Sequence, residues 1–175
     1  GAKTFRDYRE MIDTMGDKID VVVVSTPDHT HAPAAMTAMN NGKPVYCQKP
    51  LTHEVYEARQ LRLISEKKGL TTQMGIQVHS SAPYTRAAQM IQSGVIGKVS
   101  RVYAWSTKNW GYDGPAFKDR HTPPSSLDWN LWIGTKVMRP FKPRVYHPGQ
   151  WRKLIDFGTG TLAITAGGAV SSTTA

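Results

Sequence analysis

One lysine of the sequence stands where proton transfer is often performed. Lys49 lies in the turn Gln48-Lys49-Pro50, directly after the short apolar run Pro44-Val45-Tyr46-Cys47. Partial burial would lower the pKa of its amine, which lets a lysine accept or donate a proton near neutrality. The position of Lys49 alone is equally consistent with a catalytic lysine and with a solvated lysine at the end of a strand.

Two further turns carry polar side chains after apolar runs. Ser25-Thr26-Pro27-Asp28-His29-Thr30-His31 follows a run of four valines, and Gln77-Val78-His79 follows a third apolar segment. In an open parallel sheet, ligands bind beyond the carboxyl ends of the strands. The three turns are therefore expected to line one crevice.

A metal site is the alternative interpretation of part of this set. His29, His31 and Cys47 supply two imidazoles and one thiolate, which are ligands that suit Zn²⁺. A fourth ligand is not evident. We therefore expect no metal, with His31 capping or packing at the start of a helix and His29 lining the crevice.

The elements that position these turns alternate between strand and helix patterns. β-Branched runs without polar alternation are typical of parallel strands buried on both faces, and helices between them imply β-α-β units. The predicted fold class is thus α/β with a doubly wound parallel sheet. The predicted strands span 20–25, 44–47 and 71–76, and the predicted helices span 5–15, 30–41, 54–68 and 83–92.

The pattern changes after Gly97, where we predict a domain boundary. Residues 98–106 predict a longer strand, and 109–151 is rich in Trp, Pro, Gly and Tyr without helical periodicity. The last residues lack charge and aromatic side chains, which is typical of a poorly ordered tail. The predicted units are 1–97, 98–160 and a low-complexity tail at 161–175.

The charge of the protein is concentrated in its second half. The net charge is +9, and residues 98–153 hold 11 Lys or Arg against 3 Asp or Glu. These cations are dispersed among Trp, Pro and Tyr rather than clustered, so we expect no nucleic-acid partner. No apolar run is long enough to predict a membrane helix. The single cysteine fits a reducing compartment, so the cytoplasm is the default expectation and the periplasm stays open.

Two linked motifs resemble the Gfo/Idh/MocA family, the glucose-fructose oxidoreductases and inositol dehydrogenases. They are the turn at 25–31 and Asn41-Gly42-Lys43-Pro44-Val45-Tyr46-Cys47-Gln48-Lys49-Pro50-Leu51. The resemblance extends to Asp156-Phe157-Gly158-Thr159-Gly160 and covers roughly residues 4–160. It implies a Rossmann domain followed by an α/β substrate domain with an open sheet, NAD or NADP as cofactor, a sugar or polyol substrate, and a homo-oligomer.

The resemblance also implies roles for single residues. Lys49 would be the acid or base beside the reacting hydroxyl. The cofactor-binding candidates are Thr26, Pro27, His29, His31, Gln48, Pro50 and Gln77.

The sequence departs from the family pattern in three places. Gln48 stands where the family usually has Glu, which keeps a hydrogen-bond acceptor but removes a negative charge. No G-x-G-x-x-G turn occurs, so the first β-α-β unit is absent and the sheet is expected to be incomplete. After Gly160 the Asp and His that usually complete the site are missing. We therefore expect a partial chain that is inactive on its own.

Two alternative functions remain open from the sequence. One is an NAD-dependent glycoside hydrolase of the same family. The other is a non-catalytic module that binds a carbohydrate or an anion through its basic, tryptophan-rich second half. Its tryptophans are Trp105, Trp110, Trp129, Trp132 and Trp151.

Overall fold

Three parallel strands in the order β1-β2-β3 form the sheet that positions the candidate residues. The strands are β1 at Val22–Val24, β2 at Val45–Gln48 and β3 at Thr72–Gly75. This computed structural model describes residues 1–105, 107–115 and 119–160. Val24 pairs with Cys47, and Gln48 pairs with Gly75, so the strands end close together at one edge. The parallel α/β sheet predicted from the sequence is confirmed.

The helices lie close to their predicted positions and begin at recognisable caps. The Asp7 side chain accepts from Arg9 N, and Glu54 and Glu57 form a reciprocal capping box. Gly69 ends its helix with φ at 63°, a left-handed value that favours glycine. The helices are α1 at Tyr8–Met15, α2 at His31–Asn40, α3 at Val55–Lys68, α4 at Ala82–Gln92 and α5 at Trp129–Ile133. Short 3₁₀ turns span Gly16–Lys18, Asp28–Thr30, Gln77–Ser80 and Gln150–Lys153.

The first core covers one face of the sheet. Ala35, Ala38 and Met39 of α2 are buried against Val24 and Val45, because small side chains on α2 allow a close approach to the strands. The expectation of strands buried on both faces is wrong for the described residues. Val23, which points away from α2, is 62% exposed.

A second, aromatic core organises the segment for which the sequence predicts no regular structure. Trp129 and Trp132 stack with ring centroids 5.0 Å apart, and Tyr146 and Phe157 pack around them. Its buried members are Ile133, Phe141, Val145, Tyr146, Trp151 and Phe157. Aromatic packing without a helical or strand period gives no local sequence signal, which explains why residues 109–151 resemble a loop.

The structure corrects two further expectations. Residues 98–105 form no strand, because none of the described residues supplies a neighbouring strand to pair with them; Ser106 lies outside the described residues. Helix α4 forms, but Tyr84 and Ile91, which share an apolar face at helical spacing, are exposed rather than buried. Its main contact among the described residues is the turn Gln77–Ser80, which leaves that face uncovered.

Two expectations on the organisation of the chain stay predictions. The tail at 161–175 lies outside the described residues, and so its order is untested, as is the boundary at Gly97. No helix in the described part of the chain is long and apolar enough to span a membrane.

Candidate functional site

A polar cleft of about 240 Å³ opens at the carboxyl edge of β1 and β2. The turns after both strands line it, and the 3₁₀ turn Gln150–Lys153 adds side chains from the second half of the chain. This arrangement follows from the parallel register, which brings the two strand ends together. The lining residues are Ser25, Thr26, Asp28, His31, Gln48, Lys49, Pro50, Trp151 and Arg152.

Lys49 lies in this cleft directly after β2. Partial burial lowers the pKa of its amine, because desolvation disfavours the charged ammonium. The carboxylate of Asp28 acts in the opposite direction, whereas the positive charges of Arg152 and Lys108 lower the pKa further. The surroundings of Lys49 therefore favour the neutral amine more than water does.

His31 links the two turns that border the cleft. Its Nδ1 lies 2.6 Å from the carbonyl oxygen of Pro50, and its Nε2 lies 2.7 Å from that of Thr26. A carbonyl oxygen can only accept a hydrogen bond. Both contacts are therefore hydrogen bonds at the same time only when both ring nitrogens carry a proton. The ring is buried, so His31 holds the backbone of both turns in place rather than presenting itself to a ligand.

Asp28 is the acidic residue of the cleft and was not among the site residues predicted from the sequence. It is 6% exposed, and burial raises the pKa of its carboxyl group. The positive charges of His31, Arg152 and Lys49 oppose this shift. Its place in the turn after β1 was the available signal, because a carboxylate at a strand end is a candidate charge partner for a lysine at the next strand end.

Gln48 and Gln77 form a side-chain bridge between the ends of β2 and β3. Gln77 Nε2 donates to Gln48 Oε1 over 2.9 Å. Gly75 leaves room beside this pair, because a Cβ there would lie 2.8 Å from Gln48 Oε1 and 2.9 Å from the Tyr46 hydroxyl. The two candidate amides therefore lie together, but only Gln48 lines the cleft. The expectation that the turn after β3 shares the crevice is wrong, because none of the lining residues comes from Gln77-Val78-His79.

The structure places the last two candidates outside the cleft. Pro27 lines a neighbouring groove together with Thr26. His29 is fully buried, with its ring against Trp132 and Phe157 at centroid distances of 5.3 and 4.8 Å. The expectation that His29 lines the crevice is therefore wrong, because the aromatic core of the second half encloses it.

Burial of His29 gives the protein an acid-sensitive contact. Nε2 lies 2.9 Å from the Trp132 carbonyl oxygen, and a neutral ring with its proton on Nε2 donates to it. Burial lowers the pKa of His29 to about 4, from an ordinary value of 6.5. When the pH is below 6.5, His29 of the unfolded chain binds a proton that His29 of the folded chain does not. The free energy of unfolding therefore falls as the pH drops from 6.5 toward 4.

We expect His29→Gln to remove this part of the pH dependence, because an amide donates to Trp132 without titrating. In the wild type, the loss from this one group is on the order of 3 kcal/mol between neutral pH and about pH 4. Urea unfolding midpoints of both proteins at the two pH values measure it. An identical fall in the variant would contradict the assignment.

The structure gives no support for a thiolate ligand. Cys47 is buried, its Sγ lies 3.6 Å from the carbonyl oxygen of Leu51, and burial raises its pKa to about 12. Within the described ranges, no group of three or more His, Cys, Asp or Glu side chains is arranged to hold a metal ion.

The comparison with protein families identifies the first part of the chain. Residues 1–76 match the model of an oxidoreductase family with the NAD-binding Rossmann fold, GFO_IDH_MocA. The match covers 76 of the 175 residues of the chain. The resemblance inferred from the two linked motifs is thereby confirmed, and the three strands described above are part of the family's Rossmann fold.

The curated relatives of the chain include an inositol dehydrogenase and a levoglucosan dehydrogenase. The chain is 29% identical to an inositol 2-dehydrogenase of Rubrobacter xylanophilus over 106 residues, which is 60% of this chain and 30% of that protein. It is 27% identical to a levoglucosan dehydrogenase of Pseudarthrobacter phenanthrenivorans, over 71% of this chain and 29% of that protein. The chain thus spans about 30% of the length of these curated relatives.

A solved structure of a dehydrogenase homologue is similar in both fold and sequence. An inositol dehydrogenase homologue of Azotobacter vinelandii, crystallised with NADH and myo-inositol, superposes with a TM-score of 0.51 at 29% identity. The match covers 54% of this chain and 26% of that chain.

Proposed function

We propose that the whole protein is an NAD(P)-dependent oxidoreductase that transfers hydride between nicotinamide and a carbon of a sugar or polyol. One observation carries this proposal. Lys49, with its lowered pKa, lines a polar cleft at the carboxyl edge of a sheet whose residues match an NAD-binding family. The named relatives that act on inositol and levoglucosan favour a polyol or sugar hydroxyl as the reacting group.

The residues at this edge have the chemistry to hold the nicotinamide end of the cofactor. Thr26, Gln48 and Pro50 line the cleft, Pro27 borders it, and the Gln77 amide fixes that of Gln48. The bridged amides offer donors and an acceptor to a ribose hydroxyl. When bound, nicotinamide supplies the hydride acceptor or donor.

Lys49 moves the proton that accompanies hydride transfer. During oxidation of an alcohol, its neutral amine accepts the hydroxyl proton, and during reduction its ammonium returns a proton to the carbonyl oxygen. Only the neutral amine acts as the base. The oxidation rate therefore rises with pH through the pKa of Lys49, which lies below the ordinary 10.5.

The test uses a protein that continues this chain to the full length of its relatives. It is incubated with NAD⁺ or NADP⁺ and with myo-inositol, levoglucosan or glucose, and the absorbance of the reduced nicotinamide is followed. Net reduction with at least one of these alcohols is the expected result. Cleavage of a glycoside without net reduction would contradict the proposal and would favour the glycoside hydrolase instead.

Gln48→Glu tests the electrostatic part of the proposal. A carboxylate next to Lys49 favours its charged form, so we expect the rise of the oxidation rate to move to higher pH by roughly one unit or less. Gln77 still donates to the new carboxylate, which preserves the bridge. Gln48→Ala is the control, because it removes the bridge without adding charge. A pH profile of the Gln48→Glu variant that moves to lower pH would contradict this account.

A further inference from the structure

Arg152 is a second cation in the same cleft. It comes from the turn Gln150–Lys153 and is half-buried, with its guanidinium 4.6 Å from the centre of the Trp151 ring. Its Nη1 donates to the carbonyl oxygen of Gly149 over 2.9 Å. Neither the resemblance nor the relatives' names assign it a role.

Arg152 differs from its basic neighbours in its ion pairing. Lys153 pairs with Asp113, and Arg139 pairs with Asp156. Within the part of the chain that the structure describes, no carboxylate forms an ion pair with Arg152. A half-buried guanidinium offers several strong hydrogen-bond donors. When no carboxylate of the protein forms an ion pair with it, the guanidinium favours an anionic ligand.

The charges of the residues that line the cleft also favour an anionic ligand. Lys49 and Arg152 both line it, and Asp28 is the only acidic residue among the described residues that line it. Asp28 is nearly inaccessible and its charged form is disfavoured by burial. The accessible part of the cleft is therefore positive.

Contacts of its backbone and its side chain restrain Arg152. Its carbonyl oxygen accepts from Gly160 N over 2.8 Å, which ties the turn to the following segment. A Cβ on Gly149 would lie 2.8 Å from Nη1, so glycine leaves the room that the guanidinium occupies. The hydrogen bond from Nη1 to the Gly149 carbonyl oxygen and the contact with the Trp151 ring orient the guanidinium before a ligand arrives, which reduces the entropy lost on binding.

We propose that the substrate carries a carboxylate, as in a uronic acid, and that Arg152 binds this carboxylate while Lys49 faces the reacting hydroxyl. This inference rests on the proposed function and narrows its substrate class to acidic sugars. A guanidinium binds a carboxylate through two parallel hydrogen bonds.

The test measures ligand binding by the 175-residue chain, so it requires no turnover. The protein is titrated with D-glucuronate and with D-glucose while the Trp151 indole N–H is followed by NMR. The two sugars differ only at one carbon, which carries a carboxylate in glucuronate and a hydroxymethyl group in glucose. We expect glucuronate to bind about tenfold more tightly than glucose or better, because the site gains a charge-assisted pair. Equal binding of the two sugars, or an adventitious response that does not saturate, would overturn the inference and leave the oxidoreductase proposal intact.

Three variants separate the guanidinium from general charge. Arg152→Met is expected to abolish the preference for glucuronate, and Arg152→Lys to retain only part of it. Lys153→Met removes the same charge at the next position, where the side chain pairs with Asp113 outside the cleft, and it should keep the preference. As a further check, Gly149→Ala displaces the guanidinium without removing charge and should weaken the preference.

These comparisons remain decisive if one variant fails to fold. Thermal unfolding identifies such a variant, and the wild-type comparison of glucuronate with glucose and the Gly149→Ala result then carry the test. A preference that survives in folded Arg152→Met would overturn the inference. Tighter binding of glucose 6-phosphate than of glucuronate would also overturn it, because the site would then recognise a phosphate.

Discussion

Lys49→Ala is expected to lower the rate of hydride transfer in the full-length protein by about 100-fold or more, the usual range for loss of a general acid or base. The substitution removes the only lysine among the described residues that line the cleft. Without the amine, the hydroxyl proton must pass to water during oxidation, and water is a weaker base than a neutral lysine. The rate should also lose the rise with pH that Lys49 gives to the wild type.

The control for this prediction is Lys67→Ala. Lys67 is exposed in the last turn of α3, so its loss changes the net charge equally without touching the cleft. Stopped-flow measurement of nicotinamide reduction compares the wild type and the two variants under substrate saturation. A rate for Lys49→Ala equal to that of Lys67→Ala would exclude Lys49 as the proton carrier.

Gly158→Ala is expected to destabilise the fold by about 1–3 kcal/mol, the usual cost of forcing an extra methyl group into a packed site. A Cβ at Gly158 would lie 2.6 Å from the backbone oxygen of Arg152 and 2.9 Å from its Cα. Backbone atoms cannot rotate away as a flexible side chain can, so the turn that carries Arg152 must shift. Thermal unfolding of the 175-residue chain measures the effect.

Gly16→Ala is the matched control for Gly158→Ala. A Cβ at Gly16 would meet no described atom within 4 Å, and the φ of −48° at this position suits alanine. We expect it to change stability little. Equal melting temperatures for the two variants would show that the close approach of Gly158 to the Arg152 backbone does not affect stability.

The sequence was sufficient to predict the sheet and most of the cleft. Strand ends are encoded locally, by the valine run before Thr26 and by the apolar run before Lys49. Parallel pairing then brings the two turns to one edge whatever the rest of the chain does. Thr26, His31, Gln48, Lys49 and Pro50 were predicted for this reason and meet in the structure.

The contributions from distant parts of the chain could not be predicted in the same way. His29 and His31 stand two residues apart, but His29 enters the aromatic core with Trp132, which lies 103 residues further along the chain. Arg152 reaches the cleft through that same core, in which Trp151 is buried. Packing between distant segments leaves no periodic signal, so their positions required the structure.

The structure also changes the interpretation of the tryptophans. Trp129, Trp132 and Trp151 belong to the second core, which favours a structural role for them over stacking on sugar rings. Trp105 and Trp110 are exposed. The homo-oligomer, the cytoplasmic location and the inactivity of the chain on its own stay predictions, and NAD and NADP both stay open as the cofactor.

Chemical rescue of Lys49→Ala tests the central claim most directly. Small primary amines such as ethylamine are added to the full-length variant, and the rate of nicotinamide reduction is measured against amine concentration and pH. If Lys49 carries the proton, the amine restores part of the rate, and the restored rate rises with the fraction of neutral amine. A folded variant that binds cofactor but gains no rate at any amine concentration or pH would contradict the account.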